Sequence, residues 1–203
     1  MITIVDYGVG NIASLLNIFE HIGHDAVASG EPSDIVNAEK LVLPGVGAFD
    51  RAMQRLNDHD LIEPIRMAAL TRRVPVLGIC LGMQLLSKGS EEGQLPGLSL
   101  ISSRVVRIPG NFGVKVPHMG WATITHGENS VLFKNRERSQ RFYFVHSYHM
   151  VCDDASDVAG TVTYGRELCV AVSHENIHGV QFHPEKSHRY GMNLLDNFAR
   201  LGQ

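Results

Sequence analysis

Cys80 lies in a segment whose residue pattern is typical of a catalytic nucleophile. An apolar, β-branched run at residues 75–79 leads into the cysteine, and an apolar helical pattern follows directly after it. Gly78 and Gly82 stand two residues before and two residues after Cys80. Small residues at these positions allow the sharp strand-to-helix turn that exposes a nucleophile, here with cysteine where many hydrolases have serine. We therefore predict that Cys80 acts as a nucleophile.

Backbone groups around Cys80 are suited to stabilise negative charge. The helix N-terminus beneath the cysteine favours the thiolate, which is the reactive form. The N–H of Leu81 directly follows the nucleophile and is placed to donate to an oxyanion. A second donor is available in the glycine-rich run Pro44-Gly45-Val46-Gly47, which follows a predicted strand. That run is equally explained as a strand-to-helix turn that needs glycine for a positive φ, so both interpretations stay open.

A nucleophilic cysteine requires a base, and His183 is the candidate that the sequence favours. A predicted strand ends at His183, Pro184 follows it, and Glu185 stands two residues beyond the histidine. In an extended chain the side chains of His183 and Glu185 project to the same side, so Glu185 would orient the imidazole ring by one nitrogen. Pro184 would keep this segment from becoming helical. His118 and His146 are predicted to be walls of the site or buried donors.

The elements that must position these residues alternate in the first half of the chain. Buried strands are predicted at residues 2–5, 40–43 and 74–79, and helices at residues 12–22, 48–56, 61–72 and 81–88. Strands dominate the second half, at residues 103–108, 142–145, 158–164, 168–173 and 179–182, before a closing helix at residues 192–201. This order predicts one α/β domain over residues 1–203. Its central sheet is mostly parallel and flanked by helices, with an antiparallel extension in the C-terminal half.

The composition is typical of a soluble globular protein. Of the 203 residues, 44% are hydrophobic and 19% charged, and the formal net charge is -3, which offers no electrostatic footprint for nucleic acid or an anionic membrane. No apolar run approaches the ~20 residues of a membrane span, and the N-terminus lacks the pattern of a signal peptide. Cys80, Cys152 and Cys169 form neither a disulfide framework nor a zinc pattern. We expect a cytoplasmic protein without a bound metal, in which Cys152 and Cys169 are structural.

Two short motifs suggest other chemistry, but their surroundings argue against it. The run Gly8-Val9-Gly10-Asn11-Ile12-Ala13 matches a dinucleotide fingerprint. The acidic residue that the fingerprint requires about 20 positions later is not matched, because Asp25 comes too early and Glu31 lies in a predicted loop. The run His174-Glu175-Asn176-Ile177-His178 matches a zinc motif that works only on a helix. Here it falls between two predicted strands, as a hairpin tip.

Taken together, the motifs resemble one family along the whole chain. The glycine loop at residues 44–47, the cysteine elbow at 78–84 and the segment Phe182-His183-Pro184-Glu185 are similar to the class I glutamine amidotransferases. Four further runs resemble the glutaminase subunits of imidazole glycerol phosphate synthases within that family. These runs are Asp6-Tyr7-Gly8-Val9-Gly10-Asn11, Lys115-Val116-Pro117-His118-Met119-Gly120-Trp121, Tyr143-Phe144-Val145-His146-Ser147-Tyr148 and His183-Pro184-Glu185-Lys186-Ser187.

The resemblance implies a reaction and a set of site residues, and it implies no cofactor. Cys80 would attack the side-chain amide of L-glutamine, with His183 as base and Glu185 as its orienting partner, to give a glutamyl thioester, ammonia and finally glutamate. Gly45, Val46, Gly47 and Leu81 would form the oxyanion hole. The glutamine-binding residues would be Gln84, Glu92, His146, Ser147 and Tyr148.

A partner chain is also implied, because the sequence contains no second motif for a reaction that would consume the ammonia. In the family the partner is a (β/α)8-barrel cyclase that receives ammonia through an internal channel and makes imidazole glycerol phosphate and an aminoimidazole ribotide. The positions that match family residues facing the cyclase are Asn11, Trp121, Tyr143 and Lys186.

Three departures from the family pattern leave the pathway open. Ala122, His149 and Met192 replace residues that are more usual in histidine-pathway enzymes. An alternative is a paralogous glutaminase that supplies ammonia to a sugar amidotransferase in surface-polysaccharide synthesis. A peptidase-like cysteine hydrolase is a further possibility. A catalytically silent binding module on the same fold is another alternative, but the intact catalytic residues Cys80 and His183 argue against it.

Overall fold

The strands and helices of the chain are those of a computed structural model that describes residues 1–110, 113–127, 130–134 and 139–202. The strands are β1 (Ile2–Val5), β2 (Ala26–Ser29), β3 (Leu41–Leu43), β4 (Val76–Ile79), β5 (Ser103–Arg107), β6 (His118–His126), β7 (Gln140–His146), β8 (Tyr148–Cys152), β9 (Val158–Tyr164), β10 (Arg166–His174) and β11 (Ile177–Val180). The α-helices are α1 (Ile12–His21), α2 (Pro32–Asn37), α3 (Phe49–Asp58), α4 (Ile62–Arg66), α5 (Leu81–Leu85) and α6 (His188–Ala199).

These strands form one mixed sheet in the order β2-β1-β3-β4-β11-β10-β9-β6-β7, with β8 pairing to β10 and β5. The first five strands in that order are parallel, and the remaining pairs are antiparallel. The fold class predicted from the sequence is therefore confirmed. Because carboxyl ends of parallel strands meet at one edge of a sheet, the segments that follow β3, β4 and β11 are brought together there.

Both faces of the four inner parallel strands, β1, β3, β4 and β11, are buried, which explains the apolar runs of these strands. Two hydrophobic clusters form the core. On β3, Leu41 and Leu43 belong to one cluster and Val42 belongs to the other. On β4, Val76 and Leu77 divide in the same way. Each such fully buried side chain contributes about 1.5–3 kcal/mol of hydrophobic free energy, so the strands that carry the site are firmly held.

Several boundaries and elements differ from the sequence prediction. The predicted helix at residues 61–72 is α4 followed by a π-helical turn, Met67–Thr71, and the helix after the cysteine ends at Leu85 rather than at residue 88. Strands β2, β6 and β8 and helix α2 have no counterpart in the prediction. These elements alternate between buried and exposed positions or are very short, so they lack a continuous apolar run.

The segment that carries the candidate base also differs from the prediction. Strand β11 ends at Val180, not at residue 182, and a 3₁₀ turn, Pro184–Lys186, replaces the expected extended chain. The proline begins this turn, because its fixed φ and missing N–H suit the first position of a helix. Helix α6 starts at His188, four residues earlier than predicted.

None of the helices in the described ranges combines the length and the apolar composition that a membrane span requires.

Candidate active site

The turn at Cys80 has the geometry of a nucleophile elbow. The cysteine adopts φ 56° and ψ -111°, a strained conformation for a residue other than glycine. A Cβ on Gly82 would lie 1.8 Å from the carbonyl oxygen of Leu43, and a Cβ on Gly78 would lie 2.6 Å from that of Gly82. The Cys80 N–H donates to the carbonyl of Val180 at 2.8 Å. The flanking glycines are therefore required by close backbone packing, and the elbow is fixed against β11.

His183 and Glu185 form the ion pair that the sequence predicts, although through a 3₁₀ turn. The distance from His183 Nδ1 to Glu185 Oε1 is 2.8 Å, and the two side chains are 7% and 3% exposed. The backbone of His183 is held from both sides, because its N–H donates to the Tyr143 carbonyl and its own carbonyl accepts from the Ser187 hydroxyl. Ring orientation and backbone position are thus both constrained.

The charge state of His183 is set by two opposing effects. Burial lowers the pKa of the imidazole, but hydrogen bonds to Cys80 and Glu185, together with the negative charges of these two groups, raise the pKa to about 10. At neutral pH the ring is therefore an imidazolium that lies between Cys80 and the Glu185 carboxylate. A thiolate–imidazolium pair of this kind provides both the nucleophile and the proton for a leaving group.

The glycine loop at residues 44–47 lies against the elbow. A Cβ on Gly45 would come within 2.7 Å of the Gly82 nitrogen. The Tyr7 hydroxyl donates to the Pro44 carbonyl at 2.6 Å, and burial, followed by the nearby negative charge of Cys80, raises the pKa of Tyr7. The Leu81 N–H donates to the Gly45 carbonyl at 3.4 Å, which is long for such a bond. Tyr7 belongs to one of the runs that resemble the family, but its buried hydrogen bond to Pro44 of the glycine loop was not predicted.

A cavity of about 400 Å³ opens over Cys80 and brings most of the predicted site residues together. Its walls include these predicted residues: Val46, Gly47, Cys80, Leu81, Gln84, Glu92, His146, Ser147, Tyr148, His183 and Lys186. Gly45 and Glu185 do not line the cavity but contact residues that do. The Gly45 carbonyl accepts from the Leu81 N–H, and Glu185 pairs with His183.

Gln181 also lines this cavity, and the sequence analysis did not identify it as a site residue. It is fully buried, its Oε1 accepts from Gln84 Nε2 at 2.9 Å, and its Nε2 lies 3.9 Å from Cys80 Sγ. Gln84 Nε2 also donates to the Tyr148 carbonyl at 3.4 Å. Since both contacts use the amide nitrogen of Gln84, the amide oxygen of Gln84 is available as an acceptor. The one signal in the sequence was a polar residue within an apolar run, two positions before His183.

His146 forms part of another wall of the cavity and is hydrogen-bonded to His118, which does not line it. His146 Nδ1 donates to the Tyr148 carbonyl at 2.8 Å, so its Nε2 accepts from Nδ1 of His118 at 2.9 Å. Burial lowers the pKa of His146 to about 3 and also lowers that of His118. The ring of His118 stacks on Phe144 and Tyr164. Both imidazoles are therefore neutral, and His146 offers no free acceptor to a substrate proton.

Of the two motifs that suggested other chemistry, the H-E-x-x-H run has the hairpin conformation that was predicted for it. His174 ends β10 and Ile177 begins β11, so the H-E-x-x-H run is a hairpin turn in which His174 pairs with Asp157. Within the described ranges, no group of three His, Cys, Asp or Glu side chains is close enough to hold a metal ion. Gly10 of the G-x-G-x-x-A run packs against Pro44, where a Cβ would lie 2.8 Å from the proline ring.

Of the four residues predicted to face a partner, Asn11, Trp121, Tyr143 and Lys186, only Lys186 lines the cavity. Trp121 is 39% exposed, stacks on His188 at 5.4 Å and meets Tyr143 edge-on at 6.0 Å. Lys186 is exposed at the rim of the cavity. Asn11 is exposed where α1 begins, next to the glycine that packs on Pro44.

Comparison with known proteins defines the class of this fold and site. A family model described as glutamine amidotransferase class-I matches residues 3–201. A solved structure titled as a glutamine amidotransferase has a TM-score of 0.76 at 16% identity, with 97% of this chain and 98% of that chain covered. A chain in the structure of PurLQS from Thermotoga maritima has a TM-score of 0.73 at 19% identity, covering 97% and 96%. The chain belongs to the class I glutamine amidotransferase family.

Closer relatives share a more specific name. A protein of Methanococcus maripaludis named imidazole glycerol phosphate synthase subunit HisH 2 is 45% identical over 98% of this chain and 99% of its own length. A Pseudomonas aeruginosa protein of the same name is 46% identical, covering 99% and 100%. A Sulfurimonas denitrificans protein named imidazole glycerol phosphate synthase subunit HisH is 47% identical, covering 98% of each chain.

Proposed function

We propose that this chain is the glutaminase subunit of an imidazole glycerol phosphate synthase in histidine biosynthesis. It hydrolyses L-glutamine to glutamate and ammonia, and the ammonia passes to a cyclase subunit with a (β/α)8 barrel. The observation that carries the proposal is the placement of the Cys80 elbow and the His183–Glu185 pair around one cavity. The names of the full-length relatives support the pathway. The cytoplasmic location expected from the sequence is part of this proposal.

The first half of the reaction uses the thiolate–imidazolium pair. The Cys80 sulfur attacks the side-chain amide carbon of glutamine, and the amide oxygen gains negative charge. The Leu81 N–H can turn from the weak contact with Gly45 to this oxygen, and the N–H groups of the Val46–Gly47 segment are further candidate donors. His183 then gives its proton to the amide nitrogen, ammonia leaves, and a glutamyl thioester remains.

The second half regenerates the cysteine. After ammonia departs, His183 is neutral and takes a proton from a water molecule that attacks the thioester carbon. Glutamate and the Cys80 thiolate are released, and the imidazolium is restored beside Glu185. The carboxylate holds the Nδ1 proton throughout, so that Nε2 faces the reacting groups.

The amino-acid end of glutamine fits the other end of the cavity. The amide oxygen of Gln84 is available as an acceptor because its nitrogen is bonded to Gln181 and Tyr148. Glu92 lines the same region, and one of its carboxylate oxygens accepts from Phe49 N–H at 2.9 Å. An amide oxygen and a carboxylate suit the α-ammonium group of glutamine.

The proposal is tested with the chain and its co-purified cyclase partner. Glutamate release from glutamine is expected in the parent complex, to be lost in Cys80→Ala and retained in the control Cys152→Ala. Labelling of Cys80 by a glutamine-like diazo-ketone should be blocked by glutamine. Undiminished glutamate release by Cys80→Ala would disprove the mechanism.

A growth assay separates the two pathways. Co-expressed with its natural partner, the chain should restore growth of a histidine auxotroph that lacks the glutaminase subunit. Failure there, with glutaminase activity intact, would instead favour the surface-sugar pathway that the departures at Ala122, His149 and Met192 leave open.

A further inference from the structure

The segment that carries Glu92 is joined to the N-terminus of α3 by two sets of contacts that run in opposite directions. In one direction, the N–H of Phe49, the first residue of α3, donates to Glu92 Oε2 at 2.9 Å. In the other, the Asp50 carboxylate accepts from the backbone of the Glu92 segment. Gln94 N–H lies 2.8 and 3.0 Å from the two oxygens of Asp50, and Leu95 N–H lies 3.0 Å from one of them.

This exchange of partners is unusual for a helix start. The first N–H groups of a helix lack partners within the helix, and a side chain at the N-cap commonly satisfies them. Here the N-cap is Ala48, which has no polar side chain, and Glu92 from a distant segment takes that place. The acidic residue in the first turn, Asp50, is turned away to hold the loop instead.

Packing at Gly93 shows how closely the two segments are fitted. A Cβ at this position would lie 1.9 Å from Asp50 Oδ1. The backbone between Glu92 and Gln94 can therefore approach the carboxylate only because the residue is glycine. Ser90 holds the backbone of this segment locally, through the N–H groups of Glu92 and Gly93, and α3, which follows the glycine loop at residues 44–47, fixes its position in the fold.

We propose that Asp50 is a positioning residue for glutamine binding, which acts by fixing the Glu92 carboxylate in the cavity. The inference rests on the proposed function, because it assigns to Glu92 the α-ammonium group of glutamine. The Phe49 N–H holds one carboxylate oxygen of Glu92, and Asp50 holds the loop backbone beside it. The other oxygen of Glu92 can therefore bind the substrate without any further ordering of the loop. Such preorganisation lowers the cost of binding rather than the barrier of the chemical step.

The test compares Asp50→Asn with Asp58→Asn in the complex with the cyclase partner. Asparagine keeps the shape of Asp50 but places an NH₂ group where an oxygen accepts a backbone N–H. Asp58 is an exposed residue of the same helix, and its carboxylate accepts from Gln54 one turn earlier. In Asp50→Asn, KM for glutamine should rise about tenfold with kcat nearly unchanged, as for loss of one charge-assisted hydrogen bond. Asp58→Asn should leave both constants unchanged.

A second substrate distinguishes positioning from general damage. Glutaric acid monoamide is glutamine without the α-amino group, so it gains nothing from Glu92. Asp50→Asn should leave kcat/KM for this amide unchanged, and Glu92→Gln should show the same selective loss for glutamine. A loss in Asp50→Asn that is equal for both substrates, or a KM for glutamine like that of Asp58→Asn, would overturn the inference.

The outcomes for Glu92 and Asp50 separate the proposed function from the positioning role. If Glu92→Gln raises KM for glutamine and Asp50→Asn does not, only the positioning role of Asp50 is wrong. If Glu92→Gln has no selective effect, the proposed role of Glu92 in the glutaminase site fails as well. Gly93→Ala provides an independent route, because it should raise KM by collision with Asp50. Adding Asp50→Ala to Gly93→Ala should give no further rise, since both changes disrupt the same contact.

Discussion

Two histidines on different walls of the same cavity illustrate how surroundings decide chemistry. His183 and His146 are each 5% exposed, so both rings are largely removed from water. The pKa of His183 is nevertheless raised to about 10, whereas that of His146 is lowered to about 3. One ring is therefore charged at neutral pH and the other is neutral.

The difference comes from the partners of each ring. His183 lies between Cys80 and the Glu185 carboxylate, and these negative groups outweigh the effect of burial. His146 has a backbone carbonyl on one nitrogen and a second imidazole on the other, and neither supplies a full negative charge. Burial without a negative group beside the ring therefore keeps His146 neutral, whereas Cys80 and the Glu185 carboxylate keep His183 protonated.

The largest expected effect is on turnover when each histidine is replaced. His183→Gln should lower kcat for glutamine hydrolysis by about 10²–10⁴-fold, because the general acid–base group is lost. His146→Gln should lower kcat less than about tenfold, since the two hydrogen bonds of His146, to the Tyr148 carbonyl and to His118, join neutral groups and neither involves a reacting atom. Glutamate release at saturating glutamine measures both. Comparable losses of kcat in His183→Gln and His146→Gln would contradict the different roles that are expected for the two histidines.

A smaller effect is expected when the charge of the Glu185 carboxylate is removed and the shape of the side chain is kept. Glu185→Gln should lower kcat by about 10²-fold, since the imidazole keeps its place but loses the group that stabilises its charge. The pKa of His183 should fall, because one of the causes that raise it is gone. Titration of the His183 ring by NMR measures this shift. An unchanged titration would contradict the assigned role of Glu185.

The same variant makes a prediction about stability and pH. A pKa raised from 6.5 to about 10 on folding contributes stability that is fully present below pH 6.5 and is lost as the pH rises through about 10. The free energy of unfolding of the parent should therefore decrease between these pH values, and that of Glu185→Gln should decrease less. Urea denaturation at both ends of the range provides the measurement.

An effect smaller than that of Glu185→Gln is expected at Gln181, the residue that links the two walls. Gln181 contacts Cys80 and Gln84, and Gln84 shares the Tyr148 carbonyl with His146. Gln181→Met should reduce kcat/KM for glutamine about tenfold through loss of these hydrogen bonds. The control is Gln140→Met, a buried glutamine of β7 that contacts His126. Equal effects in the two variants would show that Gln181 is only a packing residue.

Some of the site could be predicted because its chemistry is local in the sequence. The glycines around Cys80 and the carboxylate two residues after His183 are patterns of neighbouring residues, and the structure keeps both contacts. The boundaries near His183 were wrong because a proline can begin a 3₁₀ turn as well as prevent a helix. The contacts of Gln181, Tyr7 and Asp50 could not be predicted, because each of these side chains is hydrogen-bonded to a residue at least 37 positions away along the chain.

The sequence alone determined the family and the α/β class of the fold, and it predicted the nucleophile with its base. Short-range spacing carries that information, since elbows and strand runs are local structures. The tertiary structure decided that the carboxyl end of β11 lies beside Cys80. The parallel pairing of Val180 with Ile79 produces this arrangement, and it joins segments that are about 100 residues apart. It also decided that His183 is charged while His146 is neutral. Charge state depends on burial and on partners brought together by folding, and neither can be counted along the chain.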